Sequence, residues 1–485
     1  MHLFRRKARP KVKLLPRQKI WLAIVIITNL ALWLIPSDVV EDIARDRHTM
    51  LGRYSRQHFT WNVAIGLISI VSFYIDWSKG ETYKRRWFQV IAVTTFAVPG
   101  LILLDFFLRT PETGHYIKTS LAFHHPPDGS WGREFVDKPE AHRTYPNAPP
   151  GYGSLDCTLH TDSRGFRNTT EHEQYDVVAI GDSFTEGSNV SDEHPWPQQL
   201  ADISGLRVYN MGMSGYDPIH YLAALQEHAL PLKPKIVLCM IYEGNDFRSA
   251  KADQKRTAPS LSSRFKEYLK QSPILATTDR FLIDTFGPIN STGHVNGVER
   301  LNWMPLRIPD GPAGHAYAFD PKQLRDLYQS PDDFALDKHW LAPRSHFEKM
   351  HDLCRKAGVR FVLLFAPLKA HVTLPLVADT LPADNVRTFT MMKFEDELPE
   401  SQLLLTRLAA WADAKEFVIG QWCQRNEIPF LSLTEALQSA TLAGQQTYYT
   451  YDQHWTPIGH EVVARRVHQL LRSVPISAQA TASSH

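Results

Sequence analysis

The residues of this 485-residue chain whose types and spacing could do chemistry fall in four short blocks. The first is YDVVAIGDSFTEG, residues 175–187, where the apolar run Val177-Val178-Ala179-Ile180 ends abruptly in Gly181-Asp182-Ser183. A buried strand that runs into a tight turn leaves a hydroxyl at the rim of a sheet. A helix starting there favours developing negative charge at its positive end. Gly, Asp and Ser are also common turn formers, so this stretch alone fits a strand-closing turn equally well. The second block is Asn210-Met211-Gly212-Met213-Ser214-Gly215, and the third is Glu243-Gly244-Asn245-Asp246. The fourth is YDQHWTPIGH, residues 451–460, with Asp452 and His454. Each block has a bland reading by itself. Together they hold a nucleophile, amide donors and an Asp/His pair, which is the set that acyl transfer requires.

In that reading Ser183 attacks an ester carbonyl, while His454 takes its proton and later passes it to the leaving alcohol. Asp452 holds the imidazole in one tautomer and stabilises its charged form. Residues i and i+2 of an extended segment share a face, so both side chains can point into one site. The alternative orienter is a backbone carbonyl or a water. The N–H groups of Ser183 and Gly215 and the side-chain amide of Asn245 can serve the oxyanion, each such donor typically worth about 3–4 kcal/mol of barrier. Gly212 is the alternative glycine. Asp182 and Asp246 read as turn-stabilising acceptors, and His460 as structural. Lys369, in Pro367-Leu368-Lys369 with His371 close by, offers a contact to an anionic or sugar substrate.

Positioning these groups falls to short β-branched runs that alternate with helical patterns. Strands are predicted over 175–181, 206–211, 235–242, 359–366 and 428–432, and helices over 195–204, 218–230, 334–357, 402–426 and 457–472. Such alternation implies a mostly parallel sheet covered on both faces, with functional groups gathered at the carboxyl ends of the strands. An insertion, residues 247–333, carries a Lys/Arg-rich helix candidate (RFKEYLKQ) and aromatic, Pro-rich loops. It is either a lid or binding wall over the site, or a surface subdomain.

The formal charge of +2 points to no nucleic-acid partner. Cys157, Cys239, Cys354 and Cys423 are scattered without a Cys-x-x-Cys pair, which argues against a zinc or redox site. Lys and Arg do concentrate in residues 1–19, but an apolar run follows at once, the order of a membrane-flanking segment. Apolar stretches at 20–36, 59–77 and 87–108 approach or reach the length a membrane span needs, and Trp21, Trp33, Trp61, Trp77 and Trp87 fall near their ends. Three transmembrane helices are therefore expected over 20–108. The basic tail 1–19 and the loop with Lys79, Lys84, Arg85 and Arg86 would face the cytoplasm, and the rest of the chain the outside. Residues 109–174, rich in Pro, Gly and His and without a period, read as a linker or collar. The α/β domain follows over 175–472, and 473–485 reads as a disordered tail.

The four blocks, in this order, resemble the SGNH (GDSL-type) hydrolase superfamily. Ser183 in GDSFTEG matches its nucleophile block, Gly215 in NMGMSG its glycine block, Asn245 in EGND its asparagine block and His454 its histidine block. Asp452-Gln453-His454-Trp455 is similar to the Asp-x-His-Trp of membrane-attached members that handle polysaccharide acetyl groups. The family usually places its Asp three residues before the His; here the separation is two. The resemblance covers about 175–247 and 359–472. It implies a three-layer α/β/α flavodoxin-like fold, serine esterase or acyltransferase activity, and no metal or other cofactor. The expected protein is a membrane-anchored esterase of the cytoplasmic (inner) membrane. Its catalytic domain would lie in the extracytoplasmic or periplasmic space and hydrolyse acyl esters, such as acetyls, of an envelope glycan or lipid. An O-acyltransferase modifying a surface polysaccharide is the alternative, and it would need a multi-span membrane partner to supply the acyl donor. A non-catalytic envelope assembly or binding protein would lack Ser183, His454 or Asn245, and all three are present.

Overall fold

The computed structural model describes residues 16–34, 49–50, 54–76, 81–108, 117–118, 121–138, 150–247, 315–391 and 398–473, with short pieces between 272 and 307. Residues 1–15 of the basic tail, the RFKEYLKQ stretch and residues 474–485 lie outside the described residues. The chain divides into two compact units, Met1–Thr110 with Leu261–Gly293, and Pro111–Ser260 with His294–His485.

The first unit is built on three helices, α1 (Pro16–Leu34), α2 (Arg56–Asp76) and α3 (Glu81–Leu108). Large apolar residues of these helices are exposed: Ile27, Ile70 and Phe96 are 65%, 66% and 79% exposed. Two segments are long and apolar enough to cross a membrane, His58–Ile75 and Glu81–Asp105, whereas the apolar part of α1, Lys19–Leu34, is shorter. Two of the three expected spans therefore meet that length. Asn29 Nδ2 donates to Ser69 Oγ at 3.1 Å and Asn62 Nδ2 to the Leu32 carbonyl at 3.0 Å, so side-chain amides join α1 to α2. Pro99 lies inside α3 without ending it. Ser272, from the insertion, donates to the Asp105 carboxylate of α3 at 2.5 Å.

Ahead of its main sheet the second unit carries an antiparallel hairpin, β1 (Ser130–Asp137) and β2 (Gly153–His160). Five parallel strands follow: β3 (Val177–Gly181), β4 (Val208–Gly212), β5 (Ile236–Tyr242), β6 (Arg360–Ala366) and β7 (Phe430–Ser432). They lie in the order β7-β6-β5-β3-β4. Side chains of a strand alternate between faces, and here both faces are apolar. Ala179, Leu238, Met240 and Leu364 pack with Trp196, Leu200, Leu437 and Val463 in one core. Ile180, Val237, Cys239 and Phe365 pack with Tyr221, Phe347, Met350 and Trp422 in the other. The result is a three-layer α/β/α domain with flavodoxin-like strand order, whose switch point lies between β3 and β5.

Three expectations need correction. The supposed collar contains the β1–β2 hairpin; its residues do not alternate cleanly because much of the hairpin is exposed. The helix expected over 402–426 is two, Ser401–Ala410 and Ala414–Arg425, with the break at Asp413, which meets His371. The described parts of the insertion divide between the units. Leu261–Gly293 belongs with the apolar helices, while Tyr317, Phe319, Leu324 and Leu327 are core residues of the α/β domain.

Candidate active site

Strand β3 ends at Gly181 and turns at once into α4 (Ser183–Glu186). The Asp182 carboxylate caps this helix by accepting from the Phe184 N–H at 3.0 Å, and Gly187, at φ +87°, closes it. So short a helix fits only because its surroundings lack side chains: a Cβ on Gly212 would stand 2.1 Å from the Glu186 nitrogen. Gly212→Ala must therefore push α4 off the end of β4. We expect it to lower stability by about 1–3 kcal/mol, the usual range for overpacking, and to lower activity with it. Gly132→Ala, where a Cβ meets nothing within 4 Å, should leave both unchanged. Thermal unfolding of the two variants checks this.

His454 brings the fourth block to the first. Its Nε2 lies 2.8 Å from Ser183 Oγ, and its Nδ1 lies 2.7 Å from Asp452 Oδ1. The same carboxylate oxygen accepts the His454 backbone N–H at 2.8 Å, so one acid sets both ring and main chain. The two-residue spacing is thus compatible with a triad contact, and a carboxylate, rather than a backbone carbonyl, faces Nδ1. Burial disfavours the imidazolium, but the charge and hydrogen bond of Asp452 outweigh it and hold the His454 pKa above its ordinary value. Burial likewise opposes the Asp452 carboxylate, yet His454 and Lys369 keep its pKa well below the usual range. Phe184 packs this joint: its ring stacks on Tyr242 at 4.0 Å and lies 4.9 Å from His454 and 4.8 Å from Trp455.

The other two blocks converge on α4. Asn245 Nδ2 donates to Asp182 Oδ2 at 3.1 Å. Gly215 sits in an exposed turn after β4 at φ +84°. The Gly212 N–H is engaged by Asn210 Oδ1 at 2.9 Å, which removes it as a free donor. Asp182 and Asp246 are buried acceptors. Asp246 takes the Tyr242 N–H at 2.8 Å and the Tyr221 hydroxyl at 3.0 Å. Burial raises the pKa of both carboxyls, and the charge of Asp182 raises that of Asp246 further. His460 accepts from the Trp196 N–H at 3.3 Å, and burial keeps it neutral.

Several groups that hold this arrangement carry no signal in the sequence. Glu186, at the end of α4, accepts from the Ser214 N–H at 3.1 Å and meets His125 Nε2 at 2.6 Å, tying the glycine turn to the nucleophile helix. Arg167 is buried and donates to the carbonyls of Gly187, Val190 and Thr158 and to Asp192, caging the loop after α4. Lys369 does not reach toward substrate: it is fully buried, with its ammonium on the backbone of residues 449–452. His371 lies between Glu243 (2.7 Å) and Asp413 (2.8 Å). Burial opposes its charge, but those carboxylates raise its pKa to about 10. His371, Asp413 and Glu416 have metal-ligand proximity. Both imidazole nitrogens are committed to carboxylates there, as in an ion pair. All four cysteines are free and buried.

A serine, a histidine and an aspartate in hydrogen-bonded series, at the switch point of a parallel α/β sheet, define a serine acyl enzyme. The GDSL-like Lipase/Acylhydrolase family model matches residues 177–324, which carry Ser183, Gly215 and Asn245. The model for the SGNH hydrolase-like domain, acetyltransferase AlgX, matches residues 343–484, which carry Asp452 and His454. The chain belongs to the SGNH hydrolase superfamily, as an acyl esterase or a related acyltransferase. Solved structures similar to it include a GDSL-like lipase from Bacteroides thetaiotaomicron (12% identity, 61% of this chain and 87% of that one, TM-score 0.27). A member of the lipolytic G-D-S-L family from Veillonella parvula aligns at 8% identity over 61% and 98%, with TM-score 0.29. The lipase/acylhydrolase from Enterococcus faecalis aligns at 12% over 61% and 95%, with TM-score 0.28. The family assignment rests on the two family models and not on these alignments. No curated protein sequence matches the chain.

Proposed function

We propose that this protein is a membrane-anchored serine esterase that forms an acyl-enzyme on Ser183 and hydrolyses acyl esters of an envelope glycan or lipid outside the cytoplasm. The observation that carries the reading is the continuous series Asp452–His454–Ser183, with contacts of 2.7 and 2.8 Å. His454 Nε2 takes the Ser183 proton as Oγ bonds to the ester carbonyl carbon. The N–H groups of Ser183 and Gly215 and the Asn245 amide, whose Nδ2 has a second N–H besides the one on Asp182, are the donors assigned to the oxyanion in this reading. The imidazolium then protonates the leaving alkoxide, leaving an acyl ester on Ser183. Water, deprotonated by His454, releases the acid and restores the serine. The N-terminal helices support the anchor. α2 and α3 have the length to span, and α1, hydrogen-bonded to α2 through Asn29 and Asn62, would make the third crossing. With basic residues Lys84, Arg85 and Arg86 on the cytoplasmic side, three crossings put the α/β domain outside.

A second reading is supported by the acetyltransferase family model over residues 343–484. The same acyl-enzyme would pass its acyl group to a sugar hydroxyl, supplied with donor by a multi-span membrane partner. One measurement separates the two readings. Purified full-length enzyme in detergent, given p-nitrophenyl acetate with and without oligosaccharide acceptors, should release acetate in step with p-nitrophenol. Acetylated sugar in place of acetate would turn the assignment to transfer. Reporter fusions after residue 110 should read as exported, and a cytoplasmic signal would overturn the orientation.

A further inference from the structure

The peptide that carries Asp452 has no regular secondary structure, yet opposite charges hold it from both sides. The fully buried Asp137 carboxylate, at the end of β1, accepts the N–H groups of Thr450 at 2.8 Å and of Tyr451 and Asp452 at 3.0 Å. Consecutive N–H groups converging on one anion form a nest. The carbonyls of the same stretch converge on the ammonium of Lys369, likewise fully buried. They lie at 3.1 Å for Tyr449, 2.7 Å for Thr450, 3.3 Å for Tyr451 and 2.9 Å for Asp452. Asp137 comes from a hairpin ahead of the sheet, and Lys369 from the first turn of the helix after β6, Lys369–Thr373. A loop whose main chain is bonded on both edges has little freedom to carry its carboxylate away from His454. Burying two charges beside a backbone is a costly way to stabilise a loop. It is a direct way to hold a geometry in which a shift of about 1 Å can cost 10²-fold in rate.

We propose that Asp137 and Lys369 form a charge clamp that sets the orientation of Asp452, and through it His454, making both of them positioning residues of the triad. This inference rests on Ser183, His454 and Asp452 acting as proposed above. The groups that face the Lys369 ammonium are Asp137 from the hairpin, Asp452 from the clamped loop and Asp320 ahead of the helix Pro321–Leu327. On its own helix, His371 is already paired with Glu243 and Asp413. Burial brings the Lys369 pKa down to about 8, and the three aspartates pull against that drop. As pH rises through that value the ammonium loses its charge and its hold on the carbonyls. The clamp therefore adds an alkaline limb to the rate profile.

The test uses the full chain in detergent with p-nitrophenyl acetate as substrate. Lys369→Met and Asp137→Asn should each lower kcat by about 10- to 100-fold with KM unchanged, because their bonds go to main-chain groups, those of the loop and for Asp137 also the Tyr152 N–H, and not to the ester. The wild type is expected to show an alkaline limb near pH 8, and Lys369→Met should lack it. A Lys369→Met enzyme with wild-type kcat and wild-type pH profile overturns the proposal. So does a raised KM at unchanged kcat, which would mean that Lys369 contacts substrate. Should the substitution prevent folding, hydrogen exchange of the wild type reads the same clamp. The amides of Thr450, Tyr451 and Asp452 should lose protection between pH 7 and pH 9.5 relative to the central strands, and equal relative protection overturns it. A Ser183→Ala enzyme that keeps full activity would instead remove the triad reading on which the clamp depends.

Discussion

Ser183→Ala should reduce turnover of p-nitrophenyl acetate by about 10⁵- to 10⁶-fold, the scale seen when a serine hydrolase loses its nucleophile. It should leave the melting temperature nearly unchanged. The hydroxyl bonds to His454 Nε2, and the residue opens a helix whose caps are Asp182 and Gly187, so alanine leaves the fold's supports in place. Substrate binding should persist. Labelling by a fluorophosphonate probe should vanish, and equal labelling of wild type and variant would show that another group is the nucleophile. His454→Ala should lose a similar factor in rate but also lose stability, because it strips the partly buried Asp452 carboxylate of its ring partner. The pair of variants thus separates the group that attacks from the group that also holds its neighbour.

Asp452→Asn is expected to lower kcat by about 10⁴-fold, as loss of a triad acid does when the imidazole settles in the wrong tautomer. An asparagine amide can donate to Nδ1, which then no longer carries the proton that leaves Nε2 free to accept from Ser183. The pH profile adds a sign. With the carboxylate present, His454 is held above its ordinary pKa of about 6.5, so kcat/KM in the wild type should rise with pH through a value above that. Removing the negative charge should move this acid limb downward. The stability linkage runs the same way for the acid itself. The folded pKa of Asp452 is depressed, so its contribution is present above the unfolded value of about 3.9 and fades as pH falls through the folded one. An acid limb that does not move in Asp452→Asn would assign the orienting role elsewhere.

The five sheet strands were legible because buried parallel strands need continuous apolar runs bounded by turns, and VVAI, IVLCMIY and RFVLLFA are such runs. The hairpin β1–β2 was not, since strands with an exposed face and mixed polarity, such as SWGREFVD, leave no period. Lys369 shows how local reading misleads. A lysine near a strand's carboxyl end looks like a substrate contact, and only the fold shows that residues 449–452 lie in its path. The spans were read from length and apolar content. Two helices met that measure and α1 fell short, because its apolar part covers only Lys19–Leu34.

Ser183, Asp452 and His454, which the structure joins in one hydrogen-bonded series, sit in short sequence blocks that could be read directly from their residue types. Tertiary structure decided what holds those blocks together. Asp137, Lys369, Glu186, His125 and Arg167 act on partners up to 315 residues away, mostly through backbone groups that look the same in every residue. A hydrogen bond to a main-chain carbonyl or N–H leaves no mark on the partner's side chain. No spacing rule could have paired Asp137 with Asp452, and only the packed chain brings them to 3.0 Å.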